Sequence, residues 1–115
     1  MEKKPYVLPQ LSFAYNALEP FISEAQLQLH HQKHHAAYVN GANAILETLD
    51  KNRREGIDGD AKALAKAFSF NAAGHLLHSL FWENLAPAAQ AAPKPQGAIA
   101  KALDAEFGSF ERFRK

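Results

Sequence analysis

The chain has 115 residues and a formal net charge of +1. That is enough length for one domain with its own core, with no surplus of charge to draw it to nucleic acid or a membrane surface. Nearly half of it, 47%, is apolar, which argues against disorder. The absence of cysteine excludes disulfides, thiolate metal sites and thiol nucleophiles, so any metal must be held through nitrogen and oxygen.

The opening "MEKKPYVLPQ" has two lysines with no apolar run behind them, unlike a secretory signal. No apolar stretch approaches the roughly 20 residues of a membrane span. The expectation is a soluble, cytoplasmic protein; an organellar protein stripped of its transit peptide reads the same way. Residues 5–20, "PYVLPQLSFAYNALEP", hold three prolines and several aromatics without helical or strand period. They read as an extended arm whose aromatics pack on the body. The one strand the pattern allows is a short piece around Tyr6 to Leu8.

Ser23, with Gln26 three positions on, fits a capping box and opens the first helix. Leu27, Tyr38, Ala42, Ile45 and Leu49 fall on one side of it at about 100° per residue. The helix is expected to end near Asp50 or Lys51, before the charged, glycine-containing turn "NRREGIDGD" at 52–60. Asp60 caps a second helix. Leu64 to Leu85 is apolar on most sides, which predicts burial in a core or an interface, and Pro87 closes that stretch. "APAAQAAPKPQG" (86–97) reads as a linker. A third helix runs from about Ala98 to Phe107 and stops at Gly108. Ser109 caps a fourth, whose apolar face, begun by Phe110 and Phe113, does not continue before Lys115. The chain reads as cut there rather than finished.

Four of the six histidines lie between His30 and His35, and the other two are His75 and His78. His30 and His34 are neighbours on a helix, as are His31 and His35, with Tyr38 four past His34. Asn71, His75, His78 and Trp82 form one stripe on the second helix. If the two helices fold back antiparallel without a break, residues whose numbers sum to about 108 or 109 share a level. His30 then meets His78, and His34 meets His75. Two imidazoles from separate helices converge in this way, but even a catalytic zinc usually has three protein ligands. Glu24, Glu47 and Glu83 are out of reach, so spacing alone gives half of a metal site. For His31 and His35 the expectation is a hydrogen-bonded core residue or plain surface exposure.

These stretches resemble the N-terminal portion of an iron/manganese superoxide dismutase. "YVLPQLSFAYNALEP" is similar to that family's opening arm, "LHHQKHHAAYVNGAN" (29–43) to its first-helix motif and "FNAAGHLLHSLFWENLAP" (70–87) to its second. "KPQGAIAKALDAEFGSFERFRK" (94–115) resembles the start of its C-terminal domain. The resemblance implies metal ligation by His30 and His78 and a gateway of His34 and Tyr38. It further implies a wall around the metal that includes Trp82, and an entrance made positive by Lys33. His31, His35 and His75 keep a structural reading. It implies one iron or manganese ion per complete subunit, superoxide as substrate, and a homodimer or homotetramer. The family's remaining ligands, an aspartate and a third histidine, come from a C-terminal α/β domain in a motif like "DxWEHAYY", absent here. Gly74 stands where many iron enzymes of the family carry glutamine.

The expected fold is thus all-α as given: an extended arm and a long antiparallel helical hairpin (1–88), a linker (89–97), and the first helices of a mostly absent α/β domain (98–115). The competing expectation is a catalytically inactive hairpin fragment or interaction module with an incomplete metal site, whose apolar 64–85 helix drives self-association.

Overall fold

The structure is a computed structural model and describes residues 5–115. The first four positions of the expected 1–88 domain, both early lysines included, lie outside the described residues. Five α-helices follow the arm: α1 (Glu24–Gln28), α2 (Ala36–Glu55), α3 (Ala61–Glu83), α4 (Gly97–Phe107) and α5 (Phe110–Phe113). One π-helical segment, Leu29–His35, joins α1 to α2. There is no strand among the described residues, and no described helix is long and apolar enough to cross a membrane.

The caps lie where side-chain chemistry puts them. Ser23 Oγ accepts from Gln26 N at 3.2 Å, Asp60 Oδ1 from Ala63 N at 2.9 Å, and Ser109 Oγ from Arg112 N at 3.2 Å. Each satisfies an amide that has no partner within its helix. α2 runs past the expected stop at Asp50 or Lys51 and ends at Glu55. Asp50 pairs with Arg53 and with Arg54 one turn on, and these arginines face the negative end of the helix. Gly56, with φ 65°, then takes the left-handed conformation that closes it. The turn between the long helices is correspondingly short.

α2 and α3 pack antiparallel, and α3 also reaches the π segment. The buried apolar side chains are Leu18, Leu27, Val39, Ala42 and Trp82. Leu18, Leu27 and Trp82 form a cluster that gathers Leu11, Phe13, Tyr15, Ile22 and Leu85 around it. Of the expected inward set, Leu27 and Ala42 are buried and Tyr38 and Ile45 half-buried, while Leu49 is exposed. The expected strand near Tyr6 is replaced by a side-chain clasp. Buried Asn43 accepts from Tyr6 N at 3.0 Å and donates to Tyr6 O at 2.8 Å, taking both backbone groups a strand partner would have used. The arm's aromatics pack on the body as expected, Tyr6 lying 5.5 Å from the His75 ring.

Of the two alternatives expected for residues 64–85, a core or an interface, α3 does not take the first within the described residues. Only Trp82 is buried on it, and Phe70, Leu76, Leu77, Leu80 and Phe81 are exposed. α4 and α5 touch each other, through Phe107 and Phe113 at 5.1 Å, and no other described helix.

Candidate metal centre

The site lies where the π segment crosses α3. Ala36 N–H bonds to the His31 carbonyl, five residues back, so the turn holding His30 to His35 is wider than an α-turn. This sets which histidine faces which. His30 meets His78 as the levels predicted, their Nε2 atoms 3.0 Å apart. His34 does not meet His75. Its ring lies 5.0 Å from His78 and 5.5 Å from His30, and His35 takes the place opposite His75, with Nε2 2.8 Å from His75 Nδ1. The cause is the extra residue in the wide turn, which rotates the side chains after His31 relative to an unbroken α-helix.

Partners fix the tautomers. The Gly74 carbonyl can only accept, so His78 Nδ1, 2.7 Å away, carries the hydrogen, and His78 Nε2 presents a lone pair toward His30. An outer hydrogen bond of this kind orients a ligating imidazole and raises its basicity. Trp82 Nε1–H donates to His35 Nδ1 at 2.9 Å, so His35 donates through Nε2 to His75. The Pro9 carbonyl accepts from His31 Nε2 at 2.7 Å, and His31 Nδ1 in turn accepts from the Tyr15 hydroxyl at 2.7 Å. His31 and His35 are both buried, which settles them as hydrogen-bonded core residues rather than surface ones.

The electrostatics favour the neutral form at His30 and His35. Burial, then His78 and His34, lower the pKa of His30. Burial, then His75, His78 and His31, lower that of His35 to about 4. Neutral imidazole is the form that binds metal.

Trp82 packs edge-on to His30, with ring centroids 4.9 Å apart, and forms one wall of the cluster. Tyr38 lies 5.1 Å from His34 and 5.3 Å from His78. Exposed Lys33 lines an open groove with Gln26, Leu29, His30 and His34. The structure therefore brings His30, His34, Tyr38, His78 and Trp82 to one place, with Lys33 at the rim.

The residues present fit an iron or manganese ion. Two nitrogens 3.0 Å apart, each about 2.1 Å from a shared ion, subtend about 90°, an ordinary angle in five- or six-coordinate geometry. His30 and His78 are thus close enough to share one ion.

Sequence reasoning missed two parts of this setting. The Trp82–His35–His75 chain had a signal in the i,i+4 histidine pairs, but that signal is the same for a surface pair. The Tyr15–His31 clamp had none, because sixteen positions of irregular chain separate its partners.

A hairpin of two long helices with imidazoles converging from both, under an aromatic wall, defines a helical domain with a candidate metal site. The sequence profile described as iron/manganese superoxide dismutases, alpha-hairpin domain, matches residues 5–86. The chain belongs to that family. It is 50% identical over 115 residues, all of this chain and 57% of the relative, to a protein of Methanothermobacter marburgensis named superoxide dismutase [Fe]. It is 48% identical over 111 residues to superoxide dismutase [Mn/Fe] of Aeropyrum pernix, covering 96% of this chain and 52% of the relative. It is 47% identical over 109 residues to superoxide dismutase [Mn] of Nocardia asteroides, covering 95% and 52%. The chain thus spans little more than half the length of the curated relatives it matches.

Proposed function

We propose that this chain provides the hairpin half of a superoxide dismutase whose ion is iron or manganese, with His30 and His78 as two of its ligands. The observation that carries this is the 3.0 Å approach of His30 Nε2 to His78 Nε2 from two different helices, with the His78 lone pair aimed by Gly74. When bound, the ion supplies one-electron chemistry that zinc lacks, so that two superoxide ions and two protons become dioxygen and hydrogen peroxide.

The chain's own groups bind, orient and admit. Gly74 and the Trp82 wall hold the two ligand rings. His34 and Tyr38 flank the approach to them, and Tyr38 offers a hydroxyl for holding or passing a proton. Lys33 at the groove's rim attracts the anionic substrate. The division into a hairpin domain (1–88), linker (89–97) and the start of a second domain (98–115) belongs to the same proposal. It is supported by the profile match over 5–86 and by α4 and α5 packing only on each other. So does assembly into a homodimer or homotetramer, for which the exposed apolar side chains of α3 offer contact surface.

The test is superoxide disproportionation by the protein joined to the C-terminal length its relatives carry, loaded in turn with iron and with manganese. His30→Ala and His78→Ala are each expected to remove metal and activity together. Full activity in either variant would overturn the ligand assignment.

A further inference from the structure

The groove side of the cluster holds one more nitrogen than the ligand pair accounts for. His30, His34 and His78 each place a ring nitrogen within 4.8 Å of the other two. His30 and His34 come from neighbouring turns of the π segment, and His78 from α3. A tetrahedral ion with nitrogens at about 2.05 Å holds them about 3.4 Å apart. His30 and His78 are already at that scale, and His34 has to close by little more than an ångström. It is free to do so, because its side chain is exposed and stands on the open groove.

We propose that His30, His34 and His78 together form a three-imidazole site for a zinc-class divalent ion, complete within this chain. The proposal rests on the reading of His30 and His78 given above and adds His34 as a third ligand. Three imidazoles and one open position make a familiar zinc donor set. With nitrogen donors alone the site prefers zinc over manganese, which ranks lowest among divalent first-row ions and favours carboxylate oxygen. His78 is held for the task by Gly74, and His30 is backed by Trp82. Among the described residues no hydrogen bond of that kind supports His34, which makes it the ligand able to leave when stronger donors arrive.

The experiment is calorimetric titration of the metal-free 115-residue chain, carrying no histidine tag, with zinc chloride, and optical titration with cobalt chloride. The expected result is one ion per chain with the strong visible bands of four-coordinate cobalt, and much weaker binding of manganese. His34→Ala should weaken zinc binding by more than about tenfold, since losing even an outer partner of a ligand costs that much. His30→Ala and His78→Gln should each do at least as much, with helical circular dichroism retained. Unchanged affinity in His34→Ala, with His30 and His78 still required, would overturn this inference and leave the ligand pair of the dismutase reading standing. Dependence on His30 and His34 but not on His78 would reveal an adventitious chelate on one helix, and would overturn the three-histidine site. Absence of stoichiometric zinc in the parent chain would also overturn the three-histidine site.

Discussion

The ring of Tyr38 occupies the space that a β-carbon at position 74 would need. Such an atom would stand within 2.6 Å of Tyr38 Cγ and Cε1. Gly74 therefore lets α2 and α3 approach closely enough for Tyr38 to lie beside His34 and His78, and its carbonyl also aims His78. Gly74→Ala should destabilise the chain by about 1 kcal/mol net. Overpacking costs about 1–3 kcal/mol, against a gain of about 1 kcal/mol in helix propensity. Urea unfolding checks this. In a Tyr38→Ala background the same change should become neutral or stabilising, because the clash is gone. Destabilisation of equal size in both backgrounds would show that Tyr38 is not what glycine accommodates.

The Trp82 to His35 bond should be costly to break. Trp82→Phe keeps an aromatic ring in the cluster but leaves His35 Nδ1 buried without its donor. A loss of about 2 kcal/mol is expected. Nitrogen-15 shifts of His35 should report the change of tautomer, with its hydrogen no longer confined to Nε2. An unchanged tautomer would mean that His75 alone fixes it.

Acid should destabilise the metal-free chain through His35. Its folded pKa, about 4, lies below the unfolded value of 6.5. Between those values the unfolded state binds more protons, so stability is full above about pH 6.5 and falls as pH drops toward 4. One such group contributes a slope of up to about 1.4 kcal/mol per pH unit. The groups facing it are His75, His78 and His31, and none is acidic. Denaturant midpoints from pH 7 to 5 should show the slope, and His35→Gln should flatten it. An equally steep slope in the variant would assign the effect to the other histidines.

The arm should loosen without the hairpin following. Tyr15→Phe removes the hydroxyl that bonds His31 Nδ1 and accepts from Gln32 Nε2 at 3.0 Å. Amide exchange should quicken at residues 10–17 and remain slow in the middle of α3, with about 1 kcal/mol lost from the arm. Equal acceleration in α3 would show that arm and hairpin open as one unit.

The caps at Ser23, Asp60 and Ser109 and the glycine stop at Gly108 were legible because each is satisfied within a few residues. The overshoot of α2 to Glu55 followed from an equally local feature, the Asp50–Arg53–Arg54 pairing, that the glycine-rich turn outweighed in the reading. The exposure of Phe70 and Leu77 agrees with one of the two alternatives expected for residues 64–85, an interface rather than a core, but the pattern could not choose between them, since an apolar helix reads the same in either.

By itself the sequence determined two long helices and the turn that reverses them, because helical period and hydrogen bonds between near neighbours set both; period also put His30 level with His78, but only the family resemblance chose His30 over His31. Only the tertiary structure decided that His35 rather than His34 faces His75, that Asn43 clasps the arm, and which nitrogen of each buried histidine carries its hydrogen. Those outcomes depend on one wide π turn and on partners such as Trp82, Gly74 and Pro9, which come together only once the helices and the arm are packed.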